Sequence, residues 1–428
     1  MQASGLPLHE WLAQLETYSP HEIDLGLERV DALLDRLRLQ LPARVLHVAG
    51  TNGKGSSVAM LEALLRRSDA KVGSYTSPHM QRYNERIRID GQEASDAQIV
   101  TAFESIEALR GDLPLTYFEF GTLAALVVFA RSDVDIAVLE VGLGGRLDAV
   151  NAVEPSASLI TNVSLDHCAW LGDDIETIAV EKAGIMRANK PVVFAAKDIP
   201  QAIVAQADAL GADLYAATQD YRWSVKSDGC WSWQGISHSL HDLARPSLQG
   251  DIQIQNAAGV LTLLEVAGFD ELLQSDVINA ALGDIQLAGR MQIVRENWIV
   301  DVAHNPAAAD VLADALRARA SGGVAVAILG MLDDKDVEGV VTPLAGLVGS
   351  WVAVTADNPR AIPAAELARR VANSTGNACL IAATLDAAIE RAEERAGAAG
   401  SVLVTGSFYT VGAALAAIDG LAAIQNRP

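Results

Sequence analysis

The chain has 428 residues, half of them hydrophobic, with few aromatics and a formal net charge of -22. That balance excludes a general nucleic-acid binder, which needs a surplus of Lys and Arg to neutralise phosphates. At roughly 100–200 residues per domain the length predicts two domains.

The first predicted strand is "RVLHVAG" (44–50), which runs into a Gly-rich loop. "SSVAMLEALLRRS" (56–68) follows with helical spacing, and "KVGSYTS" (71–77) reads as a second strand. "DIAVLEVGLGG" (135–145), "ASLITNVS" (157–164) and "PVVFAA" (191–196) are further buried strands. Strands separated by helical segments predict parallel βαβ units. Between about 214 and 240, "YRWSVKSDGCWSWQG" alternates aromatic and polar residues around an "SDG" turn and predicts a small antiparallel excursion, its Trp residues serving local packing. The segment "GDIQLAGRMQIV" (283–294) is the expected hinge, with a boundary near 288. A second series then begins: "WIVDVAH", "VAVAILG", "WVAVTA", "ACLIAA" and "SVLVTGS". The Ala-rich stretch 387–400 reads as a surface helix with a Gly-rich stop. The expected fold is therefore α/β: a P-loop-containing, mostly parallel sheet over residues 1–288, followed by a smaller Rossmann-like α/β domain over 289–428.

Three distant cysteines, Cys168, Cys230 and Cys379, predict neither a disulfide framework nor a metal cluster. The opening stretch lacks a basic region followed by an apolar run, and runs such as "TLAALVVFA" are too short to span a bilayer. The expectation is a cytoplasmic protein with no membrane partner. No exposed apolar stripe is evident, which predicts a monomer.

The loop "HVAGTNGKGSS" (47–57) departs from the common nucleotide loop G-x-x-x-x-G-K-[ST]. Gly53 and Lys54 fit, but Val48 occupies the place of the first glycine, and Gly55 separates Lys54 from Ser56 and Ser57. A strand leads in and a helix leads out. Backbone amides at such a junction favour phosphate, and Lys54 adds a point charge. The alternative is a Gly-rich turn without a ligand. Glu140 closes the apolar run "AVLE", at the carboxyl end of a strand where open α/β sheets bind ligands. Taken alone, it could equally be a solvated loop carboxylate. Taken alone, "TYFEF" (116–120) is a half-buried strand or the start of a helix.

The spelling "GTNGKGS" resembles the loop of the Mur ligase superfamily of ATP-dependent amide-forming ligases. Within it, nearly the whole chain resembles the bifunctional dihydrofolate synthase/folylpolyglutamate synthase family. The resemblance rests on separated motifs in order: "IDLGLERV", "HVAGTNGKGSS", "YTSPHM", "TYFEFGTLAAL", "LEVGLGGRLDAVN", "LDHCAWLG", "EKAGIM", "DVAHNP", "GMLDDKD" and "GSFYTV". It implies an enzyme that adds L-glutamate to dihydropteroate and to reduced folates, using ATP and two Mg²⁺ ions. In such a reaction positioning and cations supply most of the catalysis.

The resemblance also assigns residues. Gly50, Thr51, Asn52, Gly53, Lys54, Gly55, Ser56, Asn256, Arg290 and Asp301 are the expected ATP site, with His304 beside it. Ser77, Glu140 and His167 are the expected metal ligands. Lys54, His167 and a carbamylated Lys182 are the expected catalytic groups; the carbamate exchanges a cation for a carboxylate near the metals and requires a deprotonated amine. Asp24, Leu25, Gly26, Thr116, Tyr117, Phe118, Glu119, Leu147, Asp148 and Ala149 are the expected dihydropteroate pocket. Site groups on both domains would make domain closure the step that builds the site and excludes water. Three rivals stand beside this reading: a monofunctional folylpolyglutamate synthase, a cell-wall peptide ligase of the same superfamily, and a non-catalytic nucleotide switch.

Overall fold

The structure, a computed structural model, describes residues 5–18, 24–295, 297–319, 322–398 and 400–425. Two compact units divide the chain. One comprises Met1–Val163, Asp174–Pro246 and Ile254–Ile285; the other comprises Ser164–Asp173, Ser247–Gln253 and Gln286–Pro428.

The first unit is built on an eight-stranded sheet. Its strands are β1 (Arg44–Ala49), β2 (Val72–Tyr75), β3 (Ile87–Ile89), β4 (Gln92–Glu93), β5 (Ile136–Glu140), β6 (Ala157–Ile160), β7 (Pro191–Phe194) and β8 (Asp213–Ala216). Their order is β4-β3-β2-β5-β1-β6-β7-β8, and the pairs β2·β3 and β3·β4 are antiparallel while the others are parallel. β1 lies between β5 and β6, and the residues of β2, β5 and β6 are all buried. Helices cover both faces of such a strand, which is why it reads as an unbroken apolar run. One of them, Tyr117–Arg131, is buried from Glu119 to Phe129 and joins an aromatic cluster in which Phe103 meets Phe120 edge-on at 5.4 Å.

The predicted excursion needs a correction at its start. Asp213–Ala216 is not part of it: β8 joins the main sheet beside β7, in parallel. The separate sheet contains β9 (Arg222–Val225), β10 (Trp231–Gln234) and β11 (Ser239–Leu243), all antiparallel. Trp231 and Trp233 are fully buried there, and the Trp233 indole N–H donates to Thr262 Oγ1 at 3.1 Å, which ties this sheet to helix Ile252–Val266.

The second unit carries a six-stranded sheet. Its strands are β12 (Gln292–Arg295), β13 (Trp298–Val300), β14 (Val324–Leu329), β15 (Val348–Ala353), β16 (Cys379–Ile381) and β17 (Val402–Thr405), in the order β12-β13-β17-β14-β15-β16. Only β12 runs antiparallel. The expected hinge segment 283–294 holds the end of helix Ser275–Gly283 and most of β12. The Ala-rich segment forms a helix over Leu385–Ala396. Among the described residues no helix is long and apolar enough to cross a membrane.

One buried group in β1 makes stability depend on pH. His47 is fully buried, and among the described residues neither ring nitrogen has a hydrogen-bond partner. Burial, helped by the charge of Arg187, pushes its pKa from 6.5 down to about 3. Between those two values the unfolded chain binds a proton that the folded one refuses. Stability from this group is therefore complete above pH 6.5 and declines as the pH falls. A His47→Met variant, which fills the site without titrating, is expected to gain on the wild type by roughly 3 kcal/mol between pH 7 and pH 4. Denaturant titrations of both proteins at each pH measure this. A stability difference that stays constant with pH would rule out a neutral buried imidazole.

Candidate active site

The Gly-rich loop leaves β1 and enters helix Lys54–Leu65 at Gly53. Gly50 has φ +145° and Gly53 has φ +85°, a backbone region that side chains rarely adopt. A Cβ at Gly50 would stand 1.8 Å from Thr161 Oγ1, and one at Gly53 would stand 2.9 Å from Asn256 Oδ1. The loop is held from below by the end of β6. Thr161 Oγ1 donates to the Asn52 carbonyl at 2.6 Å and Asn162 Nδ2 donates to it at 2.8 Å, while the Asn52 N–H donates to Asn162 Oδ1 at 3.1 Å. Lys54 Nζ folds back over the loop and donates to the carbonyls of Gly50 and Thr51 at 3.1 and 3.2 Å. The structure thus brings together the loop residues and Asn256, although some 200 residues separate them.

Glu140 ends β5 and is only 4% exposed. It accepts the Ser77 N–H at 3.2 Å, and a Cβ at Gly55 would lie 3.7 Å from its Oε2. Carboxylate and hydroxyl oxygens beside the phosphate-binding loop suit Mg²⁺, which takes hard ligands, few of them from protein, and keeps several waters. Among the described residues no group of three or more His, Cys, Asp or Glu is arranged as a metal cage. Lys182 is 3% exposed in the last turn of helix Ile175–Ala183.

The three segments assigned to dihydropteroate converge. The Gly26 N–H donates to the Leu147 carbonyl at 3.2 Å. Thr116 caps helix Tyr117–Arg131, and Glu119 returns the bond: its Oε2 accepts from the Thr116 N–H at 2.8 Å and from the Thr116 hydroxyl at 2.9 Å. "TYFEF" is therefore a helix start, with the reciprocal cap typical of one. The Phe118 ring packs so tightly on Gly142 that a Cβ there would meet it at 2.5 Å. Asp148 is 2% exposed and accepts the N–H groups of Leu143 and Val150 at 2.8 and 3.0 Å. Burial raises its pKa to about 6 against those bonds and the charge of Lys54. Ala149 opens the short turn Ala149–Ala152 that Asp148 caps. Sequence reading missed Arg29, which joins these segments: its Nε donates to Glu119 Oε1 at 2.9 Å, its Nη1 pairs with Asp24 Oδ2 at 3.0 Å, and its Nη2 donates to the Asp24 carbonyl at 2.6 Å. The signal was present, since "LGLERV" holds a basic residue at helix-start spacing, but a lone arginine shows nothing of its partners.

In the second unit, Asp301 follows β13 and accepts the N–H groups of Met291 and Ala303, each at 2.8 Å. Burial raises its pKa, while Arg290 opposes that. The Arg290 guanidinium lies 5.2 Å from the centre of the Phe408 ring, and His304 stacks near the same ring at 6.1 Å. His167 belongs to this unit. It has φ +51°, its Nδ1 stands 3.8 Å from Asp334 Oδ2, and its Nε2 stands 3.4 Å from Lys335 Nζ. Burial lowers its pKa to about 4, which keeps the ring neutral at physiological pH. Its neighbour Asp166, missed by sequence reading, accepts from Lys335 Nζ at 2.5 Å and from Asn305 Nδ2 at 2.9 Å, and lies 3.4 Å from His304 Nε2. Burial alone would push the Asp166 pKa up; His304, His167 and Lys335 together hold it well below the usual carboxylate range.

Two family models match the chain. The Mur ligase middle domain matches residues 48–264, and the Mur ligase glutamate ligase domain matches residues 289–408. Over 416 residues the chain is 40% identical to the dihydrofolate synthase/folylpolyglutamate synthase of Escherichia coli (strain K12), covering 96% of each. Among solved structures it is similar to E. coli FolC in complex with DHPP and ADP, with a TM-score of 0.91 and 39% identity over 98% of this chain and 99% of that one. It is also similar to the bifunctional folylpolyglutamate synthase/dihydrofolate synthase of Yersinia pestis complexed with AMPPNP and Mn ion, with a TM-score of 0.89 and 40% identity over 97% of this chain and 98% of that one. The chain belongs to the dihydrofolate synthase/folylpolyglutamate synthase family of Mur ligases and is an ATP-dependent carboxylate–amine ligase.

Proposed function

We propose that the chain joins L-glutamate to the carboxylate of dihydropteroate, giving dihydrofolate, and to the γ-carboxylate of reduced folates. A carboxylate oxygen of the acceptor attacks the γ-phosphorus of ATP, the bond to the ADP oxygen breaks, and an acyl phosphate forms. The glutamate amine then attacks the acyl carbon, phosphate leaves, and the amide remains. The amides at the start of helix Lys54–Leu65 and the Lys54 ammonium bind and orient the phosphates. Glu140 and Ser77 would hold Mg²⁺, which when bound neutralises charge on the phosphate oxygens. A second ion, with His167 among its ligands and a carbamylated Lys182 nearby, belongs to the same proposal. So do an ATP-binding part before residue 288 with a glutamate-ligase part after it, contributions to the nucleotide site from Asn256, Arg290 and Asp301, and a cytoplasmic monomer that takes small molecules only.

The observation that carries the reading is the convergence of Asp24–Gly26, Thr116–Glu119 and Leu147–Ala149, with Asp148 close enough to Lys54 to feel its charge. Phe118 offers a flat face, and the ionised Asp148 offers an acceptor for the amino edge of a pterin. Purified protein is expected to release phosphate in a glutamate-dependent way with dihydropteroate and also to extend a reduced folate. Failure with dihydropteroate alone would leave a monofunctional folylpolyglutamate synthase. Asp148→Ala is expected to lower kcat/KM for dihydropteroate by roughly 10-fold or more, about one charge-assisted hydrogen bond, and to affect folate extension less. In the wild type, KM for dihydropteroate should rise as the pH drops below about 6 and Asp148 takes up a proton. Equal losses in both reactions would remove Asp148 from the pteroate-specific contacts.

A further inference from the structure

Arg86 is a buried cation. It closes the short turn Tyr83–Arg86 and is only 8% exposed. Its Nε donates to His79 Nδ1 at 2.9 Å, and its guanidinium lies 5.3 Å from the ring centre of Tyr83 and 5.5 Å from that of Tyr117. Among the described residues no carboxylate pairs with it. The neighbouring Glu85 is already engaged: its two oxygens accept the N–H groups of Met80, Gln81 and Arg82 at 2.7–2.8 Å. Rings of tyrosine and a neutral imidazole lessen the cost of burying a guanidinium but do not neutralise it. Buried charges are ordinarily paired, because removal from water is costly. A guanidinium held this way is short of one anion.

Its position says which anion. The Arg86 carbonyl accepts the Thr76 N–H at 2.9 Å, which fixes it beside the stretch that carries Ser77. Its side chain lies against Tyr117, within the segment assigned to the pteroate pocket, and near the Tyr75 hydroxyl. Tyr75 in turn stacks near Phe118 at 6.1 Å. Arg86 therefore borders both the segment proposed to hold the pterin, through Tyr117, and the stretch that carries Ser77, proposed to hold the metal. A carboxylate that must travel from pterin to phosphate passes between them. We infer that Arg86 binds the reacting carboxylate of the pteroate substrate and aims it at the phosphate. This inference rests on the function proposed above. The guanidinium fork suits it, since it grips a carboxylate at two points and leaves one oxygen edge open to react.

The test compares dihydropteroate with its carboxamide analogue, measuring binding of each by calorimetry to the wild type, Arg86→Gln and Arg86→Lys. The wild type is expected to prefer the acid by roughly 10- to 100-fold. Arg86→Gln should bind the two alike, and Arg86→Lys should keep part of the preference, while KM for ATP stays within about twofold. Ligand-free Arg86→Gln is also expected to melt no lower than the wild type, because an unpaired buried charge has been removed; a purely structural arginine would lower the melting temperature. Retention of the full acid preference in Arg86→Gln, with a lowered melting temperature, would overturn the inference and leave the proposed function standing. A wild type that binds neither compound would refute the proposed function, and the inference with it.

Discussion

Lys54→Ala is expected to cut glutamate-dependent ADP formation by on the order of 100- to 1,000-fold while the protein still folds. The loss follows from the chemistry of phosphoryl transfer, in which the protein forms no bond and contributes position and positive charge. Lys54 is the cation at the mouth of the loop, and its Nζ presently lies over the carbonyls of Gly50 and Thr51 at 3.1 and 3.2 Å. Those contacts are with carbonyls at a half-exposed site, so their loss leaves nothing stranded in the core. The loop itself is set by Thr161 and Asn162 and by the two left-handed glycines, none of which depends on the lysine. Steady-state kinetics together with a thermal melt separate the two effects. A folded variant with full activity would end the assignment of this loop to phosphate binding.

Lys182→Ala is expected to lower kcat by a similar order of magnitude, with partial recovery in added acetate. A lysine that is 3% exposed is an uneconomical choice for a purely structural position, because its ammonium must be kept solvated or paired. It sits where helix Ile175–Ala183 passes the segment after β5. A Cβ at Gly145 would come within 2.7 Å of the Glu181 carbonyl and 3.1 Å of the Lys182 carbonyl, so Gly145 is what allows that approach. Carbamylation would turn the side chain from cation to carboxylate, a hard ligand suited to Mg²⁺. Active, metal-loaded enzyme prepared with ¹³C-labelled bicarbonate is expected to show a carbamate carbon by NMR that is missing from the alanine variant. An unmodified amine in fully active enzyme would contradict the proposal, as would an alanine variant with undiminished kcat.

Much of this protein was decided by sequence alone. Apolar runs marked β1, β5, β6 and β7 because strands covered on both faces must be hydrophobic throughout. "GTNGKGS" marked the loop because only glycine tolerates the backbone at positions 50 and 53. Thr116 and Glu119, at capping-box spacing, held a helix start that the aromatic pattern alone left undecided. Such signals are local, repeated within a few residues of one element. What only the tertiary structure decided is which distant residues share a neighbour. Arg29 meets Glu119 across 90 positions. β8 joins the main sheet rather than the excursion that its sequence seemed to begin. Residues Ser164–Asp173, although they continue the N-terminal series along the chain, group with the C-terminal unit, where Asp166 meets Lys335 and Asn305. Lys182 and Arg86 are both buried. No local pattern encodes these facts, because the burial of a charge depends on what packs over it, and that cover comes from segments whose approach is set by the closing of long loops around a shared core.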